Sequence, residues 1–177
     1  VTALGGFALP PRPLLLHAAT AAMTVLMAAS LTALIRYEAR ANDDIAQYLS
    51  GVQAFPRGRV FIPIVERRSP FRVDPLAHVS SYYAMATDGI DLGNYEGDLY
   101  YFPVRFRSDA PRPADVPTLQ RRFDTVDIEE TSRLVDALLI WGSVPPSVQA
   151  SEGFRRTFSS GLLSIFVSTR REAPAAP

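Results

Sequence analysis

The chain contains no cysteine, so disulfides, thiolate metal sites and cysteine nucleophiles are excluded, and the redox compartment cannot be read from cysteine usage. It also contains no lysine, all 18 of its basic residues being arginine, which removes Schiff-base chemistry and the lysine of a phosphate-binding P-loop. Histidine is scarce: His17 and His78 are the only two, too few for a multi-histidine metal centre. Eighteen basic residues balance 18 acidic ones, so no positive field exists to hold a nucleic-acid backbone. Glycine-rich phosphate loops, a G-x-S-x-G elbow, an H-E-x-x-H helix and an Asp-x-Asp pair are all absent from the 177 residues. No cofactor, metal ligand set or catalytic residue is expected in this chain, and nucleic acid is not expected as a partner.

What is present begins with an uncharged stretch. Leu14 to Ile35, LLLHAATAAMTVLMAASLTALI, is 22 residues long, and at about 1.5 Å per residue it just crosses a hydrocarbon layer of about 30 Å. Pro10, Pro11 and Pro13 precede it, and Arg36, Tyr37 and Arg40 supply interfacial side chains after it. The spacing predicts a transmembrane helix with its interface over residues 14–40, after a leader of residues 1–13. A secretory signal peptide and a buried helix of a soluble protein are the competing readings. The first is disfavoured by the length of the apolar run, the second gains from its Ala and Thr content. Leu16, Met23, Met27 and Leu34 fall on one side, with Ala18, Ala21, Ala22, Ala29, Thr32 and Ala33 opposite. Small residues let helices approach closely in lipid, so further transmembrane helices of a larger parent protein are expected as partners, beside the bilayer itself. The first residue, Val1, is read the same way, as the start of a fragment.

Residues 41–170 are expected to form one α/β (or α+β) domain, a small layered sheet with flanking helices and a C-terminal β-hairpin, followed by a loose tail over residues 171–177. Ile45, Tyr48, Leu49 and Val52 recur at helical spacing, and Gly51 and Pro56 end that helix. Arg59 to Val65 is apolar on both faces, as a strand buried in a layered sheet would be, although Pro63 argues for an edge position or a strand end. Asp74-Pro75 predicts a helix start, with a buried stripe of Leu76, Val79, Tyr83 and Ala86 and a left-handed stop at Gly89. A strand near Tyr100 to Arg107 and a proline-rich loop from Ser108 to Pro117 follow. Asp127 and Glu130 form a capping-box pattern before a buried strand, Asp136 to Gly142. Phe154 and Phe158, then Leu163, Ile165 and Val167, alternate around a Ser160-Gly161 turn.

The richest polar constellation is Asp74, His78, Tyr82, Asn94, Tyr95, Glu96 and Arg105. Aromatic rings near carboxylates and arginine suit sugar and phosphate recognition. Helix capping and packing account for the same residues without a ligand. Arg57, Arg59, Arg67, Arg68 and Arg72 form a basic cluster that could meet anionic headgroups, and Trp141 at a strand end is either core or the wall of a site.

The order of pieces, a final membrane helix, YEARANDDIAQYLSGVQAFPRGRVFIPIV, DPLAHVSSYYAMATDG, NYEG, FPVRFR and VDALLIWG, resembles the C-terminal end of bacterial multi-spanning membrane proteins related to the GT-C type glycosyltransferases. These use polyprenyl-phosphate-linked sugars. The resemblance implies a non-catalytic accessory domain after the last membrane helix, supporting lipid-linked sugar transfer or glycan binding, because the catalytic carboxylate of such proteins lies in an early loop with no counterpart here. It places the domain on the periplasmic, extracytoplasmic side of the bacterial inner membrane. Arg36 and Arg40 after the helix against Arg12 before it point the other way under the positive-inside rule. The alternative is a membrane-tethered binding or scaffolding domain whose ligand the sequence does not identify.

Overall fold

The computed structural model describes residues 12–66, 74–94, 103, 116 and 126–171. Two compact units divide the chain, Val1–Asn42 and Asp43–Pro177. Apart from Pro103, the predicted strand at Tyr100 to Arg107 lies outside the described residues, as do almost all of the proline-rich loop and the tail after Arg171.

The first helix, α1, runs Arg12–Leu49, and among the described residues it is the one helix long and apolar enough to cross a membrane. None of its apolar window is buried inside the protein, and Leu16, Val25, Met27 and Leu34 all stand exposed. Length and composition suit a span, and the exposure is unlike that of a core helix. Three of its hydroxyls are served by the helix itself: those of Thr20, Thr24 and Thr32 donate to the carbonyls of Leu16, Thr20 and Ala28 at 3.0, 2.9 and 2.8 Å. His17 Nδ1 lies 2.7 Å from the carbonyl of Pro13. Hydroxyls so bonded face hydrocarbon at a lower cost than unpaired ones.

The second unit is built on a five-stranded mixed sheet in the order β2-β1-β3-β5-β4. β1 (Val60–Val65) pairs in parallel with β2 (Ile90–Asp91) and with β3 (Ala137–Trp141). β5 (Leu163–Ser168) runs antiparallel to β3 and to β4 (Phe154–Ser160). Alternation along β1 and β3 feeds two cores, one on each face of the sheet. Ile62, Ile64, Leu138, Ile140 and Phe166 pack toward α3 (Ile128–Leu134) and α4 (Pro146–Ala150). Phe61, Leu139, Trp141, Leu163 and Ile165 pack with Tyr48, Phe55, Leu76, Val79 and Tyr83. Tyr83 belongs to α2 (Ser81–Thr87). The expected layered α/β class is what forms.

Several local expectations are corrected. β1 is an interior strand, not an edge. Arg59 and Phe61 present their carbonyls to β2, accepting from Ile90 and Leu92 at 2.8 and 2.9 Å. Residue 63 faces the same side by the period of two, but β2 ends at Asp91, so proline's missing donor falls where the paired strand has stopped. The helix after Asp74 also begins later than Asp-Pro suggested: residues 75–80 are successive turns and α2 starts at Ser81. Asp74 Oδ1 accepts from the amide of Leu76 at 3.0 Å, a local bond that competes with helix initiation.

The left-handed residue at the end of α2 is Asp88, at φ 55 and ψ 32, rather than Gly89. Glycine is needed at 89 for room, because a Cβ there would lie 2.8 Å from the Arg59 carbonyl. Thr87 is buried in place of the exposed Ala86, and its hydroxyl donates to the carbonyl of Tyr83 at 2.7 Å. A register shift in β4 between Arg156 and Phe158 puts Phe154 in the core under α3 and α4 and Phe158 on the opposite face. Four positions apart, the two rings would share a face on an unbulged strand.

Other features follow expectation. Asp127 caps α3, accepting from the amide of Glu130 at 3.0 Å. Asp136, 6% exposed, ties the beginnings of β1 and β3 to the end of the chain. It accepts from the Val60 amide at 2.8 Å and pairs with Arg171 at 3.2 Å.

Candidate functional site

Parallel strands aim their carboxyl ends at one rim of a sheet, and ligands of open α/β sheets settle outside that rim. Here it carries a cleft of about 140 Å³, lined by Pro63, Val65, Asp74, Leu76, Ala77, Ser80 and Gly93. Pro63 and Val65 come from the end of β1, Gly93 from the turn leaving β2, and the remainder from the turns before α2. The bond from Leu76 holds the Asp74 carboxylate in place, and the amide of Ala77 donates to the Asp74 carbonyl at 3.3 Å.

Behind the wall lies a second carboxyl. Asp91 is 7% exposed and sits opposite Phe61 in the register of β1 and β2. Its Oδ1 accepts from the amide of Gly93 at 2.8 Å, and the Ser80 hydroxyl is hydrogen-bonded to it. Ser80 precedes α2 without capping it, its hydroxyl being used on Asp91. Burial raises the Asp91 pKa, opposed by these two bonds and by the nearby His78. His78, Ser80 and Asp91 are the residue types of an acyl-transfer triad, but there the imidazole stands between hydroxyl and carboxylate. Here Ser80 is bonded to the carboxyl directly, an arrangement different from that triad.

No family model, curated protein or solved structure matches the chain.

Of the seven sequence candidates, Asp74 lines the cleft, His78 acts electrostatically on Asp91, and the Asn94 amide donates to the Asp91 carbonyl at 3.3 Å. Tyr82 is 58% exposed and is not among the lining residues. Tyr95, Glu96 and Arg105 lie outside the described residues. No cluster of three or more histidine, aspartate or glutamate ligands occurs among the described residues. The basic cluster is divided in use: Arg57 pairs with exposed Asp88 at 3.3 Å, whereas Arg59 donates to the carbonyl of Arg171 at 2.8 Å beside Asp136. Arg67, Arg68 and Arg72 are outside the described residues.

Sequence reasoning missed Ser80 and Asp91. The signal for Asp91 was an acid between Ile90 and Leu92, flanked at short range by Gly89 and Gly93. Trp141 is core, 2% exposed and tilted against Tyr48 at a centroid distance of 5.7 Å. The Tyr83 hydroxyl donates to the Tyr48 carbonyl at 2.5 Å. The Tyr48 hydroxyl is buried without a hydrogen-bond partner among the described residues. Its pKa is driven far up by burial, then by the charge of Asp91 and by Tyr83.

Proposed function

We propose that this chain is a non-catalytic accessory domain tethered to the bacterial inner membrane, part of a multi-spanning glycosyltransferase-like protein and facing the extracytoplasmic side, where it supports lipid-linked sugar transfer. The observation carrying the membrane half is α1, whose apolar window has none of its residues buried in the protein while its threonines bond to their own helix. The Ala and Thr side of that helix suits close approach of further helices. The glycosyltransferase half rests on the sequence resemblance. A membrane-tethered binding domain is the second reading, favoured by the cleft at the carboxyl end of β1.

The full chain should fractionate with membranes and need detergent, whereas a chain beginning at Ala41 should stay in the soluble fraction. That shorter chain should turn over no polyprenyl-phosphate sugar, and the parent protein should lose transfer when the domain is deleted. Recovery of the full chain, uncleaved and monomeric, from the soluble fraction would defeat the membrane half. Turnover by the shorter chain would make it an enzyme and defeat the other.

A further inference from the structure

Arg36 is the first charged residue after the uncharged run over residues 14–35, and Arg40 follows it one turn later on α1. Four residues turn a helix through about 400°, so the two side chains leave α1 about 40° apart, whereas Glu38, about 200° from Arg36, leaves on the opposite side. Both arginines are exposed. Asp43 and Asp44 stand three and four residues beyond Arg40, yet neither arginine is paired with an acid among the described residues, in contrast to Arg57, Arg170 and Arg171. Like charges four residues apart repel on a helix, and an anion placed between them converts that repulsion into two attractions.

Depth decides which anion. Twenty-two residues fill about 33 Å against a hydrocarbon layer of about 30 Å, so Ile35 marks its boundary. Arg36 and Arg40 then lie about 1.5 and 7.5 Å past Ile35 along the helix, and a headgroup layer of about 5–7 Å is within reach of both side chains. Asp43 and Asp44 lie about 12 and 13.5 Å out, in water. The order along α1 is therefore apolar, basic, acidic. It sets positive charge at the level of the lipid phosphates and keeps negative charge above it. The guanidinium fork matches phosphate oxygens. A zwitterionic headgroup brings its own cation to compete for that phosphate, and a headgroup of net negative charge does not.

We propose that Arg36 and Arg40 form a clasp for the phosphate of an anionic phospholipid at the level where α1 leaves the bilayer. This goes beyond the function proposed above and rests on its membrane half alone.

The test uses the full chain, labelled with ¹⁵N, in dodecyl maltoside micelles, with lysophosphatidylglycerol, lysophosphatidylcholine or inorganic phosphate titrated in at matched ionic strength. Lysophosphatidylglycerol should give saturable shifts at the amides of Arg36, Tyr37 and Arg40, with an affinity at least about fivefold above that of lysophosphatidylcholine, the factor that about 1 kcal/mol for one arginine supplies. Inorganic phosphate should leave those amides unmoved. Arg36→Gln combined with Arg40→Gln keeps two good helix formers and should bring the two lipids level, whereas Arg57→Gln should leave the preference intact. Equal affinity for the two lipids in the wild-type chain overturns the clasp, and so does a preference that survives the double variant or falls with Arg57→Gln. Shifts with inorganic phosphate as large as those with lysophosphatidylglycerol overturn the lipid as occupant. A full chain that stays soluble without detergent overturns the membrane reading and the clasp together, an outcome distinct from failure of the clasp alone. The wild-type comparison decides without the variants.

Discussion

Asp91 is a buried carboxyl whose chemistry departs from that of its exposed counterparts. Burial raises its pKa, and the hydroxyl of Ser80, the amide of Gly93 and the nearby His78 only partly offset the cost. The folded chain therefore holds the proton to higher pH than the unfolded chain does. That contribution to stability is fully present below the unfolded value of about 3.9 and is lost as pH rises through the folded pKa. Asp91→Asn keeps an acceptor oxygen for the Gly93 amide and cannot ionise. Its melting temperature relative to wild type should rise as pH climbs above about 4 and level off once pH passes the folded pKa, read by thermal melts across that range. A difference that stays flat or shrinks would mean the carboxyl is not desolvated in solution. Glu129 shows the opposite case at the surface: the hydroxyl of Ser151 lowers its pKa first, with the Gly153 amide and Arg170 adding to it.

Three elements meet closely at Gly51, where α1 gives way to the 3-10 turn Val52–Ala54. A Cβ at position 51 would lie 2.6 Å from Ile165 Cδ1, 2.8 Å from Tyr83 Oη and 3.0 Å from Leu163 Cδ2. One helix end, the hairpin and α2 share that space. Gly51→Ala should cost about 1–3 kcal/mol through overpacking, measured by denaturant unfolding, and an unchanged midpoint would show that the three elements can part. This density explains which elements were legible in the sequence. α1, β1 and β3 are continuous apolar runs of distinct length and the hairpin alternates, so pattern alone finds them. The start of α2 was not legible, because Asp74 and Pro75 satisfy a turn as well as a helix cap. Gly89 was read for its backbone freedom, when its neighbour Arg59 required its small size. The bulge in β4 leaves no mark in the alternation of Phe154 and Phe158. In the cleft, Asp74 was legible through local cap chemistry, but Asp91 was hidden because an acid between two aliphatic residues looks like the solvent side of a strand.

At the scale of the molecule, sidedness is the property on which sequence signals disagree, since Arg36 and Arg40 favour a cytoplasmic domain and the resemblance an external one. The absence of cysteine makes this easy to resolve. Ser159→Cys introduces one thiol at an exposed position of β4, and an impermeant maleimide added to intact cells should label it if the domain faces outward. Labelling only after lysis would reverse the orientation proposed above. The shifted register of β4 has a further consequence. β4 is the outermost strand of the sheet order, and a long flat rim of unpaired amides invites stacking of chain upon chain into fibrils. The extra residue near Thr157 kinks and twists that rim, and the exposed residues 155–157 flank the kink with two arginines. The irregularity that sends two phenylalanines to opposite faces thus also denies a growing filament a straight template.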